Sequence, residues 1–128
     1  MVFIIAELSA NHGQKLSIAK ATIKTAKEAG ADAVKIQTYT PDTMTINCRN
    51  NYFLINQDTL WDGAILYDLY KSAFTPWEWH AELFNYAKKI GIPIFSTPFD
   101  KSAVDFLETL NNPIYKIASF ELNDIPLI

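Results

Sequence analysis

The sequence predicts an α/β fold in which parallel strands are joined by crossover helices. Three observations support this: short apolar runs typical of strands recur along the chain, segments of helical periodicity separate them, and glycines follow two of the helical segments. Strands that alternate with helices pair in parallel through right-handed connections. The expected order is strand, helix, strand, a long connection, and then helix, strand, helix, strand.

The first strand is predicted at residues 2–6, a continuous apolar run of the kind that is buried on both faces of a sheet. A helix follows over residues 16–29, because its alanines and Ile23 recur at helical spacing. Gly30 lies where a glycine is expected to end that helix. Residues 33–37 form the second predicted strand.

The long connection, residues 38–74, interrupts this rhythm with asparagines and aromatic residues. We expect it to cross the face of the fold at which the strands end, since no strand pattern occurs within it. A short helix is predicted near residues 65–72.

The next helix has the clearest start signal in the chain. Thr75 is the expected N-cap, Pro76 occupies the first helical position, and Glu78 completes a capping box. Gly91 ends this helix, and residues 92–96 form the third predicted strand, where an early proline is tolerated.

The last predicted elements are a helix through residues 104–110, capped by Asp100 or Ser102, and a fourth strand at residues 114–118. A further helix is expected to begin at residues 123–126. Four parallel strands leave open edges, and an eight-stranded barrel of such units needs about 250 residues. We therefore expect a truncated chain.

Composition excludes several classes of protein. The 128 residues are 49% hydrophobic and 20% charged, which is typical of a globular domain. The net charge of −3 and the scattered lysines disfavour binding to nucleic acid or to an acidic membrane surface. No signal peptide or membrane span is evident, and the single Cys48 cannot form an internal disulfide, so we expect a cytoplasmic protein.

Polar or charged side chains occur at the end of each predicted strand, where ligands bind in parallel α/β folds. Lys35 and Lys116 are the sharpest signal, because a lysine inside an apolar strand must place its ammonium group at an anion or in water. The other candidates at these strand ends are Glu7, Asn11, His12, Gln37, Thr97, Ser119 and Glu121.

Two ammonium groups beside the hydroxyls of Thr97 and Ser119 would form a cradle for a phosphate and a carboxylate. The alternative is that each lysine extends to solvent or pairs with Glu7 or Glu121. His12 precedes a glycine and is more typical of a turn than of a metal site. No glycine-rich phosphate loop is present.

Several motifs, taken together, resemble the sialic acid synthase family over essentially the whole chain. The strand-end motifs that carry the resemblance are residues 5–12, 34–38, 95–100 and 115–119. Within the family, three segments are more similar to pseudaminic acid synthases than to N-acetylneuraminate synthases: residues 37–42, residues 60–63 with 66–67, and residues 75–80.

The resemblance implies a TIM-barrel enzyme of polysaccharide biosynthesis that condenses phosphoenolpyruvate with an N-acylated amino sugar. The product is a nine-carbon 2-keto acid, and phosphate is released. It also implies a Mn²⁺ or Mg²⁺ ion, whose two histidine ligands lie on later strands and are therefore expected outside this chain. Residues 1–128 would be the N-terminal half of the barrel. The rest of the barrel and a C-terminal antifreeze-like domain are missing, so this fragment alone is expected to be inactive and the full-length protein a homodimer.

Individual residues carry over by their match to the family motifs. The positions that hold the phosphate and carboxylate of phosphoenolpyruvate are Lys35, Thr97, Lys116 and Ser119. A sugar-side position matches Gln37, with supporting sugar contacts from Asn11 and His12. The acidic positions that line the reaction site match Glu7 and Glu121.

Three alternatives stay open. The acceptor can be the precursor of N-acetylneuraminate or legionaminate instead. A non-catalytic half-barrel could bind an anion or assemble with another copy through its open strand edges. A related synthase could use a phosphorylated acceptor, which would require an extra basic residue in the acceptor pocket, and the long connection offers only Arg49 and Lys71.

Overall fold

The computed structural model describes residues 1–128 and contains three strands and five α-helices. In chain order these are β1 (Ile5–Glu7), α1 (Leu16–Glu28), β2 (Ala33–Thr38), α2 (Pro41–Met44), α3 (Leu66–Ala73), α4 (His80–Ile90), β3 (Ile94–Pro98) and α5 (Lys101–Thr109). Short 3-10 turns occur at Asn51–Phe53, Trp77–Trp79 and Ser119–Glu121. No helix has both the length and the apolar character that crossing a membrane requires.

The strands form one parallel sheet in the order β1-β2-β3. The helices α1 and α4 connect successive strands and contact each other, so both cover the same face of the sheet. Between them and the sheet lies a core that includes Leu8, Ile23, Ile36 and Leu83, each at most 2% exposed. Burial of one such side chain stabilises the fold by about 1.5–3 kcal/mol. The predicted parallel α/β architecture with crossover helices is confirmed.

The first strand is shorter and more exposed than predicted. Only Ile5–Glu7 pairs with β2, while Val2 and Phe3 are 80% and 62% exposed. The reason is that β1 lies at the edge of the sheet and has no strand on its other side. An apolar run is buried on both faces only where neighbouring elements cover it, so the prediction for residues 2–4 was wrong.

The fourth predicted strand does not form. Residues 114–118 make a single parallel bridge, between Ser96 and Tyr115. The Asn112 side chain accepts a hydrogen bond from the backbone N–H of Ser96 at 3.0 Å and donates one to the carbonyl of Ile114 at 2.7 Å. These two bonds hold residues 114–118 against β3 without a continuous ladder. The helix predicted from residues 123–126 is also absent, since turns occupy these positions.

The helix boundaries follow the predicted signals with one exception. Asp100 caps α5 by accepting from the backbone N–H of Ser102 at 2.8 Å, and Gly91 ends α4 with φ +76°. The capping box at Thr75 was wrong, because its hydroxyl lies 3.3 Å from a ring nitrogen of His12 instead. The chain therefore enters α4 through the 3-10 turn Trp77–Trp79.

We expect Asp100→Ala to lower the free energy of unfolding by about 1 kcal/mol, because two backbone N–H groups at the start of α5 lose their acceptor. Asp105→Ala on the exposed side of the same helix is the control and should change it by less than about 0.5 kcal/mol. Denaturant unfolding of both variants measures the difference. Equal effects of the two substitutions would contradict the capping role.

Candidate active site

Five of the candidate residues share the face of the sheet that the helices do not cover. In the registers of the two ladders, Glu7 pairs with Lys35 and Gln37 with Thr97. Paired residues of a parallel sheet point to the same side, and alternate residues of one strand do too. The parallel bridge between Ser96 and Tyr115 places Lys116, the residue after Tyr115, on the same side as Thr97. We call the surface formed by these side chains the open face: Glu7, Lys35, Gln37, Thr97 and Lys116.

Lys35 is the most constrained cation of the open face. Its side chain is only 15% exposed and forms an ion pair with Glu7. Burial lowers the pKa of Lys35, and the positive charge of Lys116 lowers it further. Two like charges therefore share the open face, and an anion bound there would be attracted by both. Pairing of Lys35 with Glu7, the alternative raised above, is also present.

Two buried oxygen atoms near these lysines have no hydrogen-bond partner in the protein. They are Oγ1 of Thr97, a residue that is 1% exposed, and Oε2 of Glu121. Buried polar atoms are nearly always satisfied, so each is available to a ligand or to water. Burial raises the pKa of Glu121, although the charge of Lys116 acts in the opposite direction. This carboxyl therefore keeps its proton more readily than an exposed one.

An open cleft of about 410 Å³ lies beside Gln37, and we call it the Gln37 cleft. Its volume is within the usual range for small-molecule sites. The hydroxyl of Ser9 donates to the side-chain oxygen of Gln37 at 3.1 Å, which leaves the amide nitrogen for a ligand. None of the ten lining residues is charged. The polar and aromatic ones are Ser9, Asn11, Gln37, Ser72, Tyr39, Trp61 and Tyr70.

The tyrosines connect the cleft with the charged residues. Burial, and then the neighbouring Tyr70, raise the pKa of Tyr39 to about 12. Burial and the charge of Glu121 raise the pKa of Tyr70. Both phenols stay neutral at physiological pH, so the cleft remains uncharged, and Glu121 lies close enough to influence it. Gln37 lies two residues after Lys35 on the same side of β2, so the Gln37 cleft adjoins the open face.

A larger depression of about 530 Å³ lies at the opposite end of β3, between the ends of α4 and α5. It is lined by Ile92, Pro93 and Leu110 among others and contains none of the predicted site residues. Ligands of parallel α/β folds bind at the carboxyl ends of the strands, whereas this depression is at the amino end. The Gln37 cleft and the open face are therefore the candidate site.

A buried chain of hydrogen bonds supports the site from the helix side of the sheet. His80 donates through Nδ1 to the carbonyl of Pro76 at 3.2 Å and accepts through Nε2 from the Thr38 hydroxyl at 2.8 Å. The Thr38 and Ser96 hydroxyls lie 2.6 Å apart, and the Ser96 N–H donates to Asn112. Burial lowers the pKa of His80 to about 4, so the ring is neutral. This chain fixes β2 and β3 at the positions next to Gln37 and Thr97.

A sequence model described as the NeuB family matches residues 22–128. The chain belongs to the NeuB family. It is 57% identical over 125 residues to a pseudaminic acid synthase of Helicobacter pylori, covering 98% of this chain and 36% of the relative. A pseudaminic acid synthase of Campylobacter jejuni is 56% identical over 123 residues, with 96% and 36% covered.

More distant members carry other names. An N,N'-diacetyllegionaminic acid synthase of Legionella pneumophila is 36% identical, with 98% of this chain and 35% of the relative covered. The crystal structure of an N-acetylneuraminic acid (sialic acid) synthetase from Leptospira borgpetersenii, in complex with citrate, superposes with a TM-score of 0.81 at 31% identity. The superposition covers 98% of this chain and 39% of the synthetase chain. The NeuB-family chain thus spans about a third of the length of the curated relatives it matches.

Three further predicted site residues lie outside the open face. Asn11 lines the Gln37 cleft, and Ser119 is exposed in the 3-10 turn that follows Ala118. His12 is fully buried, accepts from the Gln14 N–H through Nδ1 at 3.1 Å and is next to the Thr75 hydroxyl. Because both ring nitrogens are occupied, His12 joins the turn after β1 to the start of α4, and its side chain does not reach the cleft.

The residues of this NeuB-family chain do not form a metal site by themselves. No group of three His, Cys, Asp or Glu side chains is placed so that it could hold an ion. The two histidines, His12 and His80, are buried in the hydrogen bonds described above. The divalent ion implied by the family resemblance has no fitting set of ligands here.

The sequence pattern did not predict the aromatic wall of the cleft or the hydrogen-bond chain beneath it. Tyr39, Trp61 and Tyr70 come from the long connection, where no periodicity indicates which side chains turn toward the strand ends. The density of aromatic residues in that connection was the available signal. The contact of His80 with its partner Thr38 joins residues 42 positions apart, which no local pattern indicates.

We expect the free energy of unfolding to fall when the pH is lowered from 7 to 5. The folded pKa of His80 is about 4, below the ordinary value of 6.5, so in this range the unfolded chain binds a proton that the folded chain does not. Stability is therefore complete above pH 6.5 and is lost toward pH 4, with a loss of about 2 kcal/mol at pH 5 from His80 alone.

Urea unfolding at pH 7, 6 and 5 measures this loss, and His80→Gln should reduce it by about that amount. Burial also lowers the pKa of His12, which leaves a smaller pH dependence in the variant. An identical pH dependence in the parent protein and in His80→Gln would contradict the assignment.

Proposed function

We propose that this chain is part of a longer sialic acid synthase-type enzyme, which condenses phosphoenolpyruvate with a neutral N-acylated amino sugar and releases phosphate. The observation that carries the proposal is the register that places Lys35 and Lys116 on the open face, beside the unpartnered hydroxyl of Thr97. The names of the relatives, which are pseudaminic, legionaminic and N-acetylneuraminic acid synthases, support the same class of reaction.

The lysine pair suits the chemistry of phosphoenolpyruvate, which carries a phosphate and a carboxylate on the same carbon, carbon 2. Charge-assisted hydrogen bonds to such anions are stronger than neutral ones. Burial and then the charge of Lys116 lower the pKa of Lys35, and an anion bound beside it would stabilise its ammonium form. Glu7 orients Lys35, and the Thr97 hydroxyl would gain the partner that it lacks in the protein.

The proposed reaction proceeds in two bond-forming steps. Carbon 3 of phosphoenolpyruvate attacks the aldehyde carbon of the open-chain sugar, and the aldehyde oxygen takes a proton. Water then adds at carbon 2 and loses a proton, and the resulting tetrahedral species expels phosphate by cleavage of its C–O bond, which leaves the 2-keto acid. Glu121, whose pKa is raised by burial, can hold the proton that the aldehyde oxygen takes.

The Gln37 cleft is proposed to receive the amino sugar. Side-chain amides of Asn11 and Gln37 can bond hydroxyl and N-acyl groups, and the aromatic rings offer surface to C–H bonds. The uncharged lining favours a neutral acceptor over a sugar phosphate. Arg49 does not alter this, because its guanidinium forms two hydrogen bonds with Asp68, at 2.7 and 3.0 Å. The higher identity to pseudaminic acid synthases favours their acceptor over the legionaminic one.

Several features of the complete enzyme are proposals from the family resemblance. A Mn²⁺ or Mg²⁺ ion would have to be held by residues outside 1–128, together with the rest of an eight-stranded barrel and an antifreeze-like domain. We also propose a cytoplasmic homodimer. A non-catalytic assembly module would account for the open edge of β1, but it would not account for two lysines on the open face.

Incubation of the complete protein with phosphoenolpyruvate, Mn²⁺ and neutral N-acylated amino sugars should release phosphate. Sugar phosphates of the same size should release it far more slowly, because the cleft offers them no cation. A colorimetric phosphate assay measures both, and the 2-keto acid is identified by mass spectrometry. The proposal fails if no amino sugar supports release while the protein remains folded.

Lys116→Met should raise the KM for phosphoenolpyruvate or lower kcat by roughly two orders of magnitude, since one of the two cations is lost while the methylene stem is kept. Lys24→Met is the control, because Lys24 is exposed and pairs only with Glu28 at 3.6 Å on α1. Steady-state kinetics with the amino sugar at saturation gives the comparison. Unchanged constants in Lys116→Met would refute the anion site.

A further inference from the structure

Trp61 stands between two depressions of the surface. One is the Gln37 cleft, and the other is a more apolar depression of about 460 Å³ lined by Phe53, Ile55 and Leu66 among others. Trp61, Leu69 and Tyr70 line both, so together they form the wall between them. Leu69 and Tyr70 belong to α3, whereas Trp61 is presented by a loop and is 55% exposed.

The loop that carries Trp61 is closed by backbone hydrogen bonds and held by one carboxylate. The Ile55 N–H donates to the carbonyl of Ala64 at 2.9 Å, and the Gly63 N–H donates back to Ile55 at 3.0 Å. Inside this closure, Asp62 accepts from the backbone N–H groups of three preceding residues at 3.0–3.2 Å, and from the hydroxyl of Thr59. We call residues 55–64 the Asp62 loop.

These bonds fix the backbone of Trp61 before any ligand arrives. The Thr59 hydroxyl, which donates to Asp62, accepts from the N–H of Trp61 at 3.2 Å. The backbone N–H groups of Thr59 and Gln57 lower the pKa of Asp62, so its carboxylate remains charged at neutral pH. A loop whose backbone is already fixed loses less conformational entropy on binding, which improves recognition.

We propose that Trp61 determines which N-acyl group the acceptor can carry, because its indole closes the Gln37 cleft toward the apolar depression. This inference rests on the proposed function. The amides of Asn11 and Gln37 would bond the polar part of the sugar, and the apolar end of a short acyl group would contact the indole. Removal of the indole would join the two depressions and leave room for longer acyl chains. Asp62 acts as a positioning residue for Trp61.

The test compares Trp61→Ala with the parent in the complete protein. The variant should raise the KM for an N-acetylated amino sugar roughly tenfold or more, and it should shift the ratio of kcat/KM toward the N-butanoyl analogue by a similar factor. The KM for phosphoenolpyruvate should stay within about twofold of the parent value, because the lysine pair is untouched. Trp61→Phe should give intermediate values of both constants, and it replaces the alanine variant in this comparison if that variant does not fold.

Leu60→Ala is the matched control, since Leu60 is the neighbouring loop residue, is 98% exposed and lines neither depression. It should behave like the parent. Asp62→Ala should raise the KM for the amino sugar alone, and Asp62→Asn, which keeps an acceptor oxygen, should recover part of that loss. If Trp61→Ala keeps both the parent KM and the parent acyl preference, the inference is overturned.

A second readout separates this inference from the proposed function. The indole N–H resonance of Trp61, assigned by its absence in Trp61→Phe, should shift when a neutral N-acetylated amino sugar is added. A shift in a protein that releases no phosphate would support the role of Trp61 and refute the condensation. Phosphate release without any shift at saturating sugar would refute the role of Trp61 and leave the condensation standing.

Discussion

The parallel pairing of β2 with β3 is the constraint on which the site depends. Its register sets Gln37 beside Thr97 on the open face. Because successive residues of a strand point to opposite faces, the adjacent residues Thr38 and Ser96 point to the helix side. A slip of one residue would exchange these two sets and bury the polar side chains of the site. The hydrogen bonds that join Thr38, Ser96 and His80 oppose such a slip, since each buried group would lose its partner.

The open face concentrates positive charge in a chain whose net charge is −3. Lys35 is held there by the apolar residues that flank it in β2, and it satisfies its charge with Glu7 while it is repelled by Lys116. The Gln37 cleft next to it carries no charge at all. The open face therefore suits an anion, and the Gln37 cleft suits a neutral, partly apolar molecule. The proposed condensation of phosphoenolpyruvate with an amino sugar would need these two kinds of binding region.

Local patterns predicted those parts of the molecule that depend on neighbours in sequence. The alternation in β2, the cap at Asp100 and the end of α4 at Gly91 required only the few residues around them. The capping box at Thr75 failed because its hydroxyl is engaged by His12, 63 residues earlier in the chain. The first strand was overextended because its exposure depends on what lies beside it in the sheet.

The same distinction applies to the site. Lys35 and Lys116 were recognisable because a charge inside an apolar run needs a partner, whether the run forms a strand, as around Lys35, or a single bridge, as around Lys116. Trp61 and Tyr70 were not, since their position in the cleft depends on how the long connection folds back over the strand ends, and the contacts that decide this link residues far apart in sequence.

The most direct test of the account is the pKa of Lys35, measured by NMR of selectively labelled lysine in the complete protein with and without phosphoenolpyruvate. Without ligand, the pKa of Lys35 should lie below the ordinary 10.5 because of burial and the charge of Lys116. Saturating phosphoenolpyruvate should raise it, because a bound anion stabilises the ammonium form. A pKa of Lys35 that does not change when phosphoenolpyruvate saturates the protein would contradict an anion site on the open face.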